Sequence, residues 1–64
     1  HVDLAMIDLE EALKLNPSQT EAYLMRGQIY LSQKKKNLAK QDFEKAMSLG
    51  VPQADLRGLL QQCK

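Results

Sequence analysis

Displacing the chain against itself by 34 positions brings residues 3–19 onto residues 37–53. Leu4, Ala5, Asp8, Glu10, Ala12, Leu15 and Gln19 meet identical residues at Leu38, Ala39, Asp42, Glu44, Ala46, Leu49 and Gln53, seven identities in seventeen positions. Leu9 and Leu13 meet Phe43 and Met47, which keeps apolar bulk, and Asp3 meets Asn37, which keeps a helix-capping side chain. Chance pairing of two amphipathic segments preserves polarity, but not this many identities in register. A repeat with a period of roughly 20–50 residues marks a stacked array, in which each unit covers its neighbour's apolar face.

Inside the period the apolar residues follow helical spacing. Leu38, Ala39, Phe43, Ala46 and Met47 share one helix face, and Leu4, Ala5, Leu9, Ala12 and Leu13 copy it. Leu56, Leu59, Leu60 and Cys63 recur at i, i+3, i+4 and i+7, while Ala22, Tyr23, Leu24, Met25, Ile29, Tyr30 and Leu31 mark a further apolar segment. No stretch alternates apolar and polar over the length of a strand. Asp3 is the expected cap of the first helix, and Asn16-Pro17 closes that helix, with Pro17 suited to open the next. Lys34, Lys35 and Lys36 form a polar turn with Asn37 as the following cap. Gly50 can adopt the left-handed conformation that ends a helix, and Pro52 begins the last one. The spacing predicts helices over 3–15, 18–33, 37–49 and 53–63. The fold is therefore all-α, and short turns force neighbouring helices to run antiparallel.

Sixty-four residues, 44% apolar and 27% charged, suit one small globular domain. A net charge of +1 lacks the basic footprint of a general nucleic-acid binder. One cysteine and one histidine supply neither an internal disulfide nor a four-ligand zinc site. No apolar run approaches the ~18 residues of a membrane span, and no basic-then-apolar leader opens the chain, so the expectation is a cytoplasmic domain.

The order and spacing of Tyr23, Gly27, Tyr30, Ala39, Phe43, Ala46 and Pro52 resemble the tetratricopeptide repeat. Three positions depart from that pattern. Arg26 fills the usual leucine slot, Lys34–Lys36 replace a glycine, polar, aromatic turn, and Pro52 comes one residue late, leaving Val51 in its place. The resemblance implies an antiparallel helix–turn–helix solenoid segment. Residues 1–17 would hold the second helix of a partial repeat, 18–51 one complete repeat and 52–64 a capping helix. It also implies that the chain is the C-terminal part of a longer array, with Gln53, Asp55, Arg57, Gln61, Gln62 and Lys64 giving the last helix a wet outer face. Gly27 in mid-helix costs ~1 kcal/mol against alanine, so a partner helix should pass too close there for a side chain. In the partial repeat Leu4, Met6, Ile7 and Leu13 should lack part of their cover, which opens a route to self-association through helix 3–15.

No catalytic set assembles from these residues. His1 sits alone at the terminus, and Cys63 completes an apolar stripe with no base to activate it. Asp8, Glu10, Glu11, Asp42 and Glu44 read as solvated helix surface, with Glu10–Lys14 a possible i,i+4 pair. Isolated glycines at 27 and 58 form no phosphate-cradling loop, so no cofactor is expected. The resemblance implies a non-catalytic protein-interaction module, a scaffold or adaptor that holds a peptide or partner helix on the concave face. The positions carried over to that face are Glu21, Leu24, Gln28, Leu31 and Ser32, with Met25 at its edge. A subgroup of the family grips C-terminal carboxylates with lysines and asparagines; Leu24 and Gln28 lack that chemistry and Glu21 would repel an anion. Two other readings remain open: a purely structural, self-associating cap, and nucleic-acid contact through Lys34–Lys36.

Overall fold

The computed structural model describes residues 2–64, with the side chain of Val2 left aside. Four helices follow one another: α1 (Val2–Leu15), α2 (Thr20–Ser32), α3 (Lys36–Ser48) and α4 (Gln53–Gln62). They lie side by side in a slab of 27 × 25 × 14 Å between Cα atoms. All four predicted helices are present, each with bounds within two residues of expectation. The principal interface is α2 against α3; α1 packs on α2, and α4 joins through α3.

The end signals differ from the sequence reading in informative ways. Pro17 does not open α2. The Asn16 carbonyl accepts from Gln19 N at 3.1 Å, and the Asn16 Oδ1 accepts from Ser18 N at 3.1 Å. Asn16–Gln19 is therefore a turn with proline at its second position, where its fixed φ is most useful, and α2 begins only at Thr20. Asp3 lies inside the first turn of α1 rather than before it, where its charge still complements the helix dipole. Asn37 is not a cap either. Lys35 takes that position without a side-chain cap bond, because Lys35 N already donates to Tyr30 O at 2.8 Å while Lys35 O accepts from Ala39 N at 3.0 Å. One residue thus ends α2 and starts α3.

The C-termini of α2 and α3 close in the same way. After α3, Gly50 has φ +118°, Gly50 N donates to Met47 O at 3.0 Å and Val51 N to Ala46 O at 3.2 Å. This nested pair of bonds satisfies two carbonyls that the helix leaves open, as expected of Gly50. It also explains Val51: a proline there would have no N–H to give Ala46. After α2 the same pair runs from Lys34 N to Leu31 O and from Lys35 N to Tyr30 O. Here the left-handed residue is Lys34, at φ +63°.

Two apolar clusters form the interior. Ala39, Phe43, Ala46 and Leu56 are buried together, flanked by Tyr23, Tyr30, Leu24, Leu31 and other half-buried residues. Leu9, Leu13 and Ala22 make the smaller cluster between α1 and α2, so Leu13 is covered, contrary to expectation. Leu4 and Ile7 remain 61% and 54% exposed, as expected, and Met6 is half-buried. Gly27 is buried at the α2–α3 crossing, and a Cβ built there would stand 2.5 Å from Phe43 Cε1 and 2.9 Å from Cζ. The ring is fully enclosed and has nowhere to go.

Two stability predictions follow from these geometries. Gly27→Leu and Ala39→Leu should each lower the unfolding free energy by ~1–3 kcal/mol, read as a lower urea midpoint at unchanged m-value. Lys34→Gly should raise it by ~0.5–1 kcal/mol, because a lysine in the left-handed region is strained where glycine is not; thermal melts of the two chains side by side measure the gain.

Candidate functional site

The register of α2 sorts its side chains into two faces. Ala22 and Gly27 are buried, and Tyr23, Arg26 and Tyr30 are half-buried toward the other helices. Glu21, Met25, Gln28 and Ser32 fall at i, i+4, i+7 and i+11, and all four are exposed along one stripe. Met25 stands out as a large apolar side chain 55% exposed. Ser32 turns its hydroxyl back to donate to Ile29 O at 2.7 Å. Leu24 and Leu31 are half-buried, and both pack on the Ala39–Phe43–Leu56 cluster. That cluster joins Leu56 of α4 to the α3 residues, with Tyr23 and Tyr30 packed on it as well.

Arg26 and Asp42 form a pair that polarity patterning did not reveal. Arg26 Nε donates to Asp42 Oδ2 at 2.9 Å and its terminal nitrogen Nη2 to Asp42 Oδ1 at 2.7 Å. Asp42 is only 5% exposed, so it is not the solvated carboxylate expected from sequence. The guanidinium also lies over the Tyr23 and Tyr30 rings, with centroid distances of 5.7 and 6.0 Å. Helix geometry places one ring a turn before Arg26 and the other a turn after. The hydrogen bonds to Asp42 strengthen the hold of Arg26 on its proton, outweighing the opposing effect of burial. The only sequence hint was the arginine in a slot where the repeat usually carries leucine.

The remaining chemistry-bearing residues do not converge. Lys14 pairs with Glu11 at 3.7 Å rather than with Glu10, in an exposed contact worth ~0–1 kcal/mol. Asp8, Glu10, Glu11 and Glu44 are exposed. Cys63 Sγ donates to Leu59 O at 3.4 Å, and burial pushes its thiol pKa up, against the opposing charges of Lys40 and Lys36. That is a packed thiol, not an activated one. Lys34, Lys35 and Lys36 are exposed, and Lys36 Nζ donates to Lys64 O at 3.0 Å. His1 lies outside the described residues. A concavity of about 500 Å³ opens between α3 and α4, lined by Lys40, Glu44, Met47, Arg57, Leu60 and Cys63 among others. None of the residues expected on the concave face lines it. No helix is long and apolar enough to cross a membrane among the described residues.

Residues 20–49 match the family model of the tetratricopeptide repeat. The match covers α2, the Lys34 turn and α3, together with the small-residue crossing at Gly27, and this hairpin is a tetratricopeptide repeat. Repeats of this family generally mediate protein–protein interaction and are typically non-catalytic. No curated protein and no solved structure matched the chain.

Asp42→Asn should lower stability by ~1–3 kcal/mol, because it leaves a partly buried guanidinium with half its partner. Coupling the loss to Arg26→Leu should recover part of it, since the site is already apolar around the pair. A double-mutant cycle from denaturant melts measures both effects.

Proposed function

We propose that the chain is a non-catalytic scaffold or adaptor segment that holds a peptide or partner helix along α2. The observation that carries this reading is the exposed stripe of Glu21, Met25, Gln28 and Ser32, in which a 55% exposed methionine sits among polar groups that could fix a partner's register. Leu24 and Leu31, half-buried, belong to the same proposed contact surface through their exposed parts. In this reading residues 18–51 are the complete repeat, 1–17 the second helix of a partial one and 52–64 a capping helix. A peptide C-terminal carboxylate is a poor fit, because Glu21 adds like charge and the stripe carries no lysine.

A second reading, self-association, draws on Leu4 and Ile7, both more than half exposed on α1. It separates from the first by sedimentation, which reports a concentration-dependent dimer only if α1 faces pair. The nucleic-acid reading has less support: one of its three lysines, Lys36, is engaged at Lys64, and no aromatic side chain interleaves with the triplet.

Met25→Glu combined with Gln28→Lys should abolish capture of the partner in a pull-down while leaving the melt unchanged, because both side chains are exposed. Retention of the same partner by the double variant would remove α2 as the contact surface.

A further inference from the structure

The concavity between α3 and α4 gathers cations that the fold leaves without a partner. Lys40 on α3 and Arg57 on α4 line it together with Lys64, just beyond α4. All three are exposed, and among the described residues they make no ion pair. Lys36 stands beside them, since its Nζ donates to Lys64 O at 3.0 Å and its charge, with that of Lys40, acts on the Cys63 thiol. Glu44 is the single carboxylate side chain of the lining, and it is unpaired as well. The lining is also partly apolar: Met47, Leu60 and Cys63 are half-buried there and pack on the Ala39–Phe43–Leu56 cluster. A recess that sets one sign of charge beside low-dielectric walls concentrates the opposite sign.

We propose that this concavity is a docking site, separate from the α2 stripe, for an acidic segment of a partner protein: one apolar side chain seated on Met47, Leu60 and Cys63, with carboxylates on either side held by Lys40, Arg57 and Lys64. Its volume of about 500 Å³ suits a few residues of peptide rather than a whole helix. Gln53 and Gln61, also in the lining, each offer a donor and an acceptor to the segment's backbone. A helix of the α3 type does not fit, because the 34-residue period puts Arg57, Gln61 and Lys64 where α2 has Tyr23, Gly27 and Tyr30. Nucleic acid fits less well than an acidic peptide. It would leave the apolar part of the lining unused, and no aromatic side chain lines the recess for a base to stack on. The charge preference is opposite to that of α2, where Glu21 repels an anion.

The probe is a synthetic peptide of two glutamates, a leucine and two aspartates, carrying an uncharged dye and a C-terminal amide so that no terminal carboxylate contributes. It is titrated with the 64-residue chain at low ionic strength and followed by fluorescence anisotropy. Saturable binding is expected. Arg57→Glu combined with Lys64→Glu should weaken it by at least ~10-fold, and Lys40→Glu by ~3-fold or more, with the melt of the chain unchanged because all three side chains are exposed. Glu44→Gln should tighten it by ~2-fold, since the one opposing charge is gone. Serine in place of the peptide's leucine should cost ~5-fold or more. The α2 variant Met25→Glu with Gln28→Lys should bind as the unaltered chain does. Absence of saturable binding overturns the proposal, and so does equal binding to the charge-reversed chains. Loss of binding in the α2 variant would move the peptide to α2. Binding of a single-stranded pentathymidylate, which carries the same number of negative charges, as tightly as the peptide would overturn peptide recognition in favour of a generic cationic surface.

Discussion

The fold depends on one missing side chain. With no Cβ at residue 27, the Phe43 ring can lie against the backbone of α2, and the two helices approach closely enough to enclose Ala39 and Ala46 completely. A glycine in mid-helix is unfavourable by itself, by ~1 kcal/mol relative to alanine. Burying an aromatic ring on it returns more, since a fully enclosed phenylalanine is worth ~1.5–3 kcal/mol over an exposed one. Everything at this crossing follows from the choice: alanines on the facing helix, tyrosines at the wider margins, and a tight turn that brings α3 back over α2.

Most of the architecture was legible because it is periodic. The 34-residue register and the helical stripes report which face each helix turns inward, so four helices, their order and the Gly27 crossing could be read from residue types alone. Cap positions were less legible. Asp3, Asn37 and Pro17 all have the right chemistry for their expected roles, but the chain uses them one to three residues away, because the turn between α2 and α3 closes both helices on Lys35 and Asn16 claims its own proline turn. The half-burial of Leu24 and Leu31 was less legible for a different reason. Both pack on a cluster that joins Ala39, Phe43 and Ala46 of α3 to Leu56 of α4, and no pattern local to α2 encodes that assembly.

The Arg26–Asp42 pair shows what polarity patterning misses in principle. A charged residue at i, i+4 spacing among other charges looks like solvated surface, and only a contact 16 residues away makes it interior. Burying such a pair need not add net stability, since desolvation offsets much of the attraction. Its geometry does impose a constraint that leucine cannot. Two parallel hydrogen bonds fix how far α2 can slide along α3, and the flanking Tyr23 and Tyr30 rings fix the guanidinium's plane. Gly27 sets how close the helices come, and Arg26 beside it sets their register. The two adjacent residues thus divide the specification of the crossing between them.

The same logic makes the two ends of the slab chemically unequal. At α1 the residues that would meet another helix, Ala5, Asp8 and Ala12, are those that α3 uses successfully, so the face keeps the features that admit close approach and a fixed register. At α4 and just beyond it the positions equivalent to the aromatic, glycine and aromatic of α2 hold Arg57, Gln61 and Lys64, all exposed. A helix of the α3 type brought against them would have to desolvate two cations and would find a glutamine where its ring needs bare backbone. The two ends of the slab thus differ in a handful of side chains rather than in the backbone, which is helical at both ends.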